Sequence, residues 1–390
     1  MLDLAGGQGS FSSRLLADLG ARVIKVEKPG GDPSREIGPF LGGSPDPEKS
    51  LFFFFNNANK LGITLDVQTR EGRRIFLQLV RRNDIIIESY PPGHMESLGL
   101  GLEALREANR SIVVVSVTGF GQDGPRRDYL ACDLVASAFG GQMFICGEPE
   151  KPPMKPYGHQ SYYSASLFAA IAALIGLREK RKGQRNLFFD ISLQEAVTAT
   201  LEHVLIRYFN DKRVAQREGG LHWDRGFCIF PCREGFILLT LFQQWQTLVE
   251  WMASENMAED LVDKKWEDEG YRRQNIDHVI QVLSRWTKTH ESRELYEMGQ
   301  AFRFPWAPVR SHREVLKCPQ IEARKFFADE DYAGNGQILK FPGNPCKYEM
   351  PVRDNWNAPP RRGEHNNQIY HEELGMPLQE IERLHSLGVI

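Results

Sequence analysis

The sequence shows little that would place it on a charged polymer, in a membrane or in an oxidising compartment. Lysine and arginine (48) do not outnumber aspartate and glutamate (51), the formal charge is −3 and the pI is near 6.4. The basic excess that follows a polyphosphate backbone is missing, so nucleic acid is not an expected partner. The apolar run LFAAIAALIGL stops at Arg178 and Glu179, short of the ~20 residues that cross a bilayer, so no membrane span is expected. No basic segment followed by an apolar one opens the chain, and no secretory leader is expected. Six cysteines in 390 residues are too sparse for a disulfide scaffold and fit free thiols in the cytoplasm. Only Cys228 and Cys232 are close in sequence, and CIFPC looks like a strand with a turn and lacks a second ligand pair, so no metal is expected.

What is present reads as a two-domain chain with a sizeable core. The opening MLDLAGGQGSFSSRLLADLGARVIKVE has the order strand, glycine loop, helix, strand. Gly6, Gly7 and Gly9 would admit a phosphate at a helix N-terminus, but their spacing is not the dinucleotide fingerprint. LGITLDV, REGRRIFLQLVRRN, DIIIESY, GLEALREAN and SIVVVSVTGF continue the alternation. Short, almost wholly apolar strands between amphipathic helices predict an α/β fold with a Rossmann-like parallel sheet covered on both faces. RNLFFDISLQEAVTATLEHVLIRYF adds a strand and a long helix. Near Asp211 the character changes to GFCIFPCREGFILLTL, two strands around an Arg-Glu-Gly turn, followed by Trp-rich charged helices. The expected division is residues 1–210 as the first part of a large domain, 211–305 as a small α+β domain, and 306–390 as a return to the large domain with a wrapping polar tail.

Six segments, in this order, resemble the family III CoA-transferases (the CaiB/BaiF type, which includes formyl-CoA transferase). They are LLADLGARVIKVEKPGGDPSR (15–35), NNANKLGITLDV (56–67), ESYPPGHMESLGLGLEALREANRSIVVVSVTGFGQDGPRRD (88–128), RKGQRNLFFDISLQEA (181–196), APVRSHREVLKCPQIEARKFF (307–327) and GEHNNQIYHEELG (363–375). The resemblance covers nearly the whole chain. It implies a large Rossmann-like domain built from both chain ends, a small domain between them, and two chains interlocked as a dimer with CoA at their junction. Members usually carry residues ahead of the first strand, whereas this sequence opens directly on MLDL, so a truncated or misassigned start is one expectation.

CoA offers a 3′-phosphate, a pyrophosphate and an adenine, so its site needs Lys or Arg, backbone N–H groups and an apolar wall. Lys28, Asp32, Arg35, Asn57, Asn59 and Lys60 stand in the nucleotide-contacting blocks of the family. The alternative is that Lys28 and Lys60 are ordinary solvated charges. CoA and acyl-CoA are expected as substrates, with no permanently bound cofactor. One departure from the pattern is Pro91 in ESYPPG, where the family commonly has arginine, which removes one phosphate contact.

A second departure concerns chemistry. The resemblance places a nucleophilic aspartate at the head of an Ala-rich helix, and the matching stretch here, HQSYYSASLFAA, puts Tyr162 at that position with His159 and Gln160 nearby. A phenol has no acyl carbon to carry CoA as a thioester. Asp133 in ACDLVASAFGG matches a structural aspartate of the family, and Glu148 and Glu150 are loop acids. No catalytic residue is therefore expected in this chain alone. HQSYY looks like the acid-free subunit of heteromeric succinyl-CoA:benzylsuccinate CoA-transferase. The leading expectation is a CoA-transferase subunit paired with an aspartate-bearing paralogue; self-pairing as a homodimer, an acyl-CoA racemase or isomerase, and a non-catalytic acyl-CoA-binding homodimer are the alternatives. LFFFFNN and LHWDRGFCIF would line an acyl pocket or, as aromatic runs more often do, fill a core.

Overall fold

A computed structural model describes residues 1–221, 225–331, 338–349 and 357–390. Part of the polar tail and part of LHWDRGFCIF lie outside the described residues. The chain divides into two compact units, one of Met1–Phe144, Lys155–Val214 and Ala323–Ile390, the other of Ile145–Met154 and Ala215–Glu322.

The larger unit is organised by six parallel strands, β1 (Leu2–Leu4), β2 (Ile24–Glu27), β3 (Leu61–Thr64), β4 (Ile85–Glu88), β5 (Val113–Thr118) and β6 (Leu187–Ser192). They lie in the order β3-β2-β1-β4-β5-β6 and every pairing is parallel. Helices α1 (Ser10–Asp18), α2 (Leu51–Asn57), α3 (Arg70–Arg81), α4 (His94–Ser97), α5 (Leu102–Ala108), α6 (Asp133–Phe139), α7 (Gln142–Ile145) and α8 (Gln160–Arg181) intervene in sequence, and α9 (Leu193–Ala199) and α10 (Glu202–Asp211) follow β6.

β4 and β5 read as near-continuous apolar runs because helices cover both faces, whereas β1 and β2 carry Asp3, Lys25 and Glu27 inside the sheet layer. β5 is buried at all six positions. One face packs Ile75, Phe76, Leu79 and Leu105 of α3 and α5 on Leu2, Leu4, Ile86 and Val114. The other packs Leu16 and Ala17 of α1 and Ala165, Ala169 and Ala173 of α8 on Ile85, Ile87, Val113 and Val115. Thr69 caps α3, its hydroxyl accepting from the amide of Gly72. A Cβ at Gly72 would sit 1.9 Å from the carbonyl of Asp66, so this first turn requires glycine.

Helix α8 is long and apolar enough to cross a membrane by length and composition alone. It is nevertheless a helix of the sheet layer: a Cβ at Gly176 would meet Val113 at 2.4 Å, so the small-residue side lies directly on β5.

The chain end returns to the larger unit. His365 Nδ1 accepts from the amide of Gly62, Asn366 Oδ1 from that of Thr64, and Tyr370 donates its hydroxyl proton to the Thr64 carbonyl, which occupies the open edge of β3.

The smaller unit holds a hairpin of β7 (Phe227–Pro231) and β8 (Phe236–Thr240). Its turn closes at Gly235 in the left-handed region, and the Cys232 amide donates to the Gly235 carbonyl. Helices α11 (Trp245–Ser254), α12 (Glu269–Gln274), α13 (Ile276–Thr287) and α14 (Ser292–Ala301) follow, and β9 (Ala307–Pro308) pairs with β8. Trp245, Trp266, Trp286 and Trp306 fill its core together with Cys228 and Cys232. Burial pushes the Cys232 thiol up to about 11, in keeping with an inert core cysteine. Helices α15 (His312–Leu316) and α16 (Pro319–Ala323), the hairpin of β10 (Phe327–Asp331) and β11 (Ile338–Pro342), and α17 (Leu378–Ser386) complete the described elements, apart from short helical turns.

Candidate functional site

In this strand order the chain leaves β1 toward β2 and β3, and leaves β4 toward β5 and β6. The carboxyl ends of β1 and β4 therefore border the crevice in which open α/β sheets bind ligands. The loop after β1 is held there by its neighbour: the Gly6 amide donates to Ser89 Oγ at 2.8 Å, and Gln8 Nε2 donates to the Ser89 carbonyl at 2.9 Å and to that of Val117 at 3.3 Å. Gly7 lies against Phe52, whose ring is 3.1 Å from where a Cβ would stand. Helix α1 begins with no side-chain cap.

Beneath this loop lies a buried ionic network. Asp3 Oδ1 accepts from the Ala5 amide, and Oδ2 accepts from Ser13 Oγ and pairs with Lys60 Nζ at 2.7 Å. Lys60 also donates to the Ser10 carbonyl and to Asn57 Oδ1, each at 2.8 Å. Lys25 Nζ donates to the Ala5 carbonyl and pairs with Asp32 at 2.7 Å. Arg35 forks onto both oxygens of Glu27, donates to the Pro360 carbonyl, and lies 3.7 Å above the Phe53 ring. Burial is the largest influence on Lys60 and brings it down to about 8. Burial would lower Lys25 as well, but Asp32, Asp3 and Glu27 raise it above the usual lysine range.

The six residues expected at the nucleotide therefore occupy two environments. Asp32, Arg35, Asn57, Asn59 and Lys60 are buried, each bonded to neighbours; Asn59, for example, donates to Asp18 and accepts from the Asn357 amide. Lys28, just past β2, is exposed. Lys60, through Asp3 and the Ser10 carbonyl, and Asp32, through Lys25 and the Ala5 carbonyl, brace the base of the glycine loop, and Lys28 alone of the six projects charge outward.

Glu88, at the end of β4, is a feature the sequence reading did not single out. It is 6% exposed, accepts from the Tyr90 amide at 2.7 Å, and borders a cavity of about 40 Å³ whose lining includes Met95, Glu96, Leu105, Val114, Gln122 and Phe188. Burial pushes its carboxyl up to about 7, with Glu96 and Asp190 adding like charge. A raised carboxyl pKa means that the folded chain binds the proton more tightly than the unfolded one. The contribution of Glu88 to stability therefore falls as pH rises from about 4.5 to about 7, by roughly 3 kcal/mol, and this contribution changes no further above that. Glu88→Gln is expected to flatten this fall in urea titrations at pH 5 and pH 8; an unchanged pH dependence would rule Glu88 out as its source. The signal was available in the sequence as an acid ending an apolar strand, IIIE.

The second wall comes from the head of α8. His159 stands at its N-cap; its ring is edge-on to Phe52 at 4.9 Å and stacked on Tyr162 at 5.3 Å and 10°. Phe52 thus joins the glycine loop to the helix head. Burial raises the phenol of half-buried Tyr162 further from ionisation, and Gln160 is exposed and donates to the Tyr157 carbonyl. Asp133, which bonds to this helix head, is 4% exposed. Its Oδ1 accepts from the amide and hydroxyl of Ser161, and Oδ2 pairs with Lys155 at 2.8 Å. Lys155 in turn donates to the carbonyls of Pro156 and Gly158. Asp133 is therefore a cap and a turn clamp. Glu148 and Glu150 belong to the smaller unit. Among the described residues, no group of His, Cys, Asp or Glu is arranged to hold a metal.

Comparison with known proteins gives these features a setting. The family described as "CoA-transferase family III" matches residues 3–366. The chain is 32% identical over 400 residues to the succinyl-CoA:(R)-benzylsuccinate CoA-transferase subunit BbsE of Thauera aromatica, covering 100% of this chain and 97% of that protein. It is 30% identical over 387 residues to human succinyl-CoA:glutarate CoA-transferase, covering 98% and 86%. A CAIB/BAIF family protein from Brucella suis superposes with a TM-score of 0.84 at 24% identity, covering 95% and 97%, which speaks to the fold.

Proposed function

The chain belongs to CoA-transferase family III, and from that premise we propose that it is the subunit without a nucleophile in a heteromer that moves CoA from an acyl-CoA, succinyl-CoA foremost, to a carboxylic acid. The observation that carries this reading is the head of α8. Tyr162 and His159 stand there, and Asp133, the carboxylate that bonds to this helix head among the described residues, accepts from Ser161 through Oδ1 and is held by Lys155 as an ion pair through Oδ2. Transfer through an enzyme-bound acyl group needs a carboxylate able to form first an anhydride and then a thioester, and neither an imidazole nor a phenol can carry CoA in that way. The chain's own contribution is binding: the glycine loop, the uncapped start of α1, and Lys28 as the phosphate contact.

An uncovered apolar surface supports a second chain as partner. On α8 the side opposite the alanines exposes Leu167, Phe168, Ile171, Leu174 and Ile175, and α10 exposes Ile206 and Phe209 at 71% and 73%. Exposed large apolar side chains of this kind mark an interaction surface. An aspartate-bearing paralogue is the occupant we assign, in an interlocked dimer. The six free thiols fit a cytoplasmic setting.

The test is native mass spectrometry of the chain with and without such a paralogue, followed by hydroxylamine trapping in the presence of succinyl-CoA. A mixed complex whose adduct maps to the paralogue is expected. An adduct on an acid of this chain would overturn the assignment.

A further inference from the structure

The His159 carbonyl accepts from the Tyr163 amide, but its imidazole is held beside the glycine loop by ring contacts, with no hydrogen bond to the ring among the described residues. Its neighbours on the helix head are all satisfied: Gln160 donates to the Tyr157 carbonyl, Ser161 to Asp133, and Ser164 to the Gln160 carbonyl. The imidazole is clamped between Phe52 and Tyr162, which fixes its plane. Its Nδ1 is enclosed without a partner, while the residue as a whole is half-buried. The other nitrogen, Nε2, is therefore at the accessible edge of the ring.

This arrangement sets the tautomer. An enclosed N–H with no acceptor is costlier and rarer than an enclosed lone pair, so the lone pair sits on Nδ1 and the proton on Nε2. The helix head thus presents an N–H donor whose plane is fixed by its two ring neighbours. Phe52, which orients it, is the same ring that lies against Gly7 of the loop after β1, so the donor and the glycine loop share a wall. A donor so placed suits an oxygen acceptor carried by the ligand that the loop binds.

Resting on the functional reading above, we propose that His159 is a substrate-contacting residue whose Nε2–H binds an oxygen of the acyl group, either the carbonyl of the CoA thioester or the carboxylate of the free acid. No covalent step is assigned to it. In a subunit without a nucleophile, this donor is what keeps an acyl-CoA preferred over CoA itself.

The experiment measures binding of CoA, succinyl-CoA and succinate to the purified full chain, alone and in its complex, by calorimetry. Ring ¹⁵N signals of His159 are recorded alongside. His159→Phe keeps the stacked ring and removes the donor, and His159→Gln restores an N–H near Nε2. The expected result is that His159→Phe weakens succinyl-CoA about three- to tenfold, leaves CoA unchanged, and is rescued at least in part by His159→Gln. Ring signals that move with succinyl-CoA alone identify the thioester carbonyl as the acceptor, and signals that also move with succinate identify the carboxylate. Equal weakening of CoA and succinyl-CoA, or no weakening of either, overturns the inference. A wild-type chain that binds CoA without preferring succinyl-CoA overturns this inference only; one that binds neither overturns the functional reading with it.

Discussion

Replacing Lys60 with methionine is expected to destabilise the larger unit by about 3–5 kcal/mol, the range found when one partner of a buried ion pair is removed. The substitution would leave Asp3 Oδ2 with only the Ser13 hydroxyl, and would strip donors from the Ser10 carbonyl and Asn57 Oδ1. All three acceptors are buried, so water does not replace the lost bonds. Asp3 also holds the Ala5 amide, which places the damage at the root of the glycine loop. Combining Lys60→Met with Asp3→Asn should cost less than the sum of the two single changes, because the neutral amide no longer needs a cation. Lys28→Ala is the contrast: an exposed side chain whose loss should leave the unfolding midpoint in place and weaken CoA about three- to tenfold. The pair is read by urea unfolding and by calorimetry with CoA. If Lys60→Met unfolds like the wild type, the network is not what supports the loop; if Lys28→Ala binds CoA normally, the phosphates are held elsewhere.

That contrast also marks where the sequence is legible. The sheet could be read in advance because each strand is a short run with both faces covered; IIIE and VVVSVT leave little alternative to a central parallel position. The Arg-Glu-Gly turn between two β-branched and aromatic runs marks the hairpin that β7 and β8 form. The interior of the site was harder, since a lysine looks the same in a sequence whether it meets solvent, a phosphate or an aspartate. A usable signal was nevertheless present. Asp3 and Lys25 are direct partners in the register of β1 and β2, and Glu27 follows Lys25 on the same strand, so acids and bases set into apolar strands imply pairing inside the sheet layer. His159 could not be resolved in this way, because the ring that clamps it, Phe52, lies over a hundred residues away in sequence. The long apolar helix is the converse case: its composition announces burial on every side, while the fold covers the alanine side and leaves Leu167, Ile171 and Leu174 open.

If, as proposed, this chain supplies no acid to carry an acyl group, its transferase rate alone should lie at least about 10³-fold below that of the complex with an aspartate-bearing paralogue, as expected when an enzyme loses its nucleophile but keeps its binding groups. The deficit should fall on turnover, with CoA affinity in the isolated chain retained, since the loop, its ionic floor and Lys28 are all contributed in cis. Binding energy alone cannot replace the missing step, because contacts equally strong with substrate and transition state leave the chemical barrier where it was. Two mixtures separate this account from mere stabilisation of one chain by the other. With the paralogue's aspartate changed to asparagine, the complex should form and remain inactive. With Tyr162→Phe in this chain, activity should stay within about twofold of the wild-type complex, because phenylalanine keeps the ring stacked on His159 and the proposed reaction has no step at the hydroxyl. Activity in the first mixture would place the nucleophile in this chain after all, and a collapse in the second would give Tyr162 the chemical part that its burial argues against.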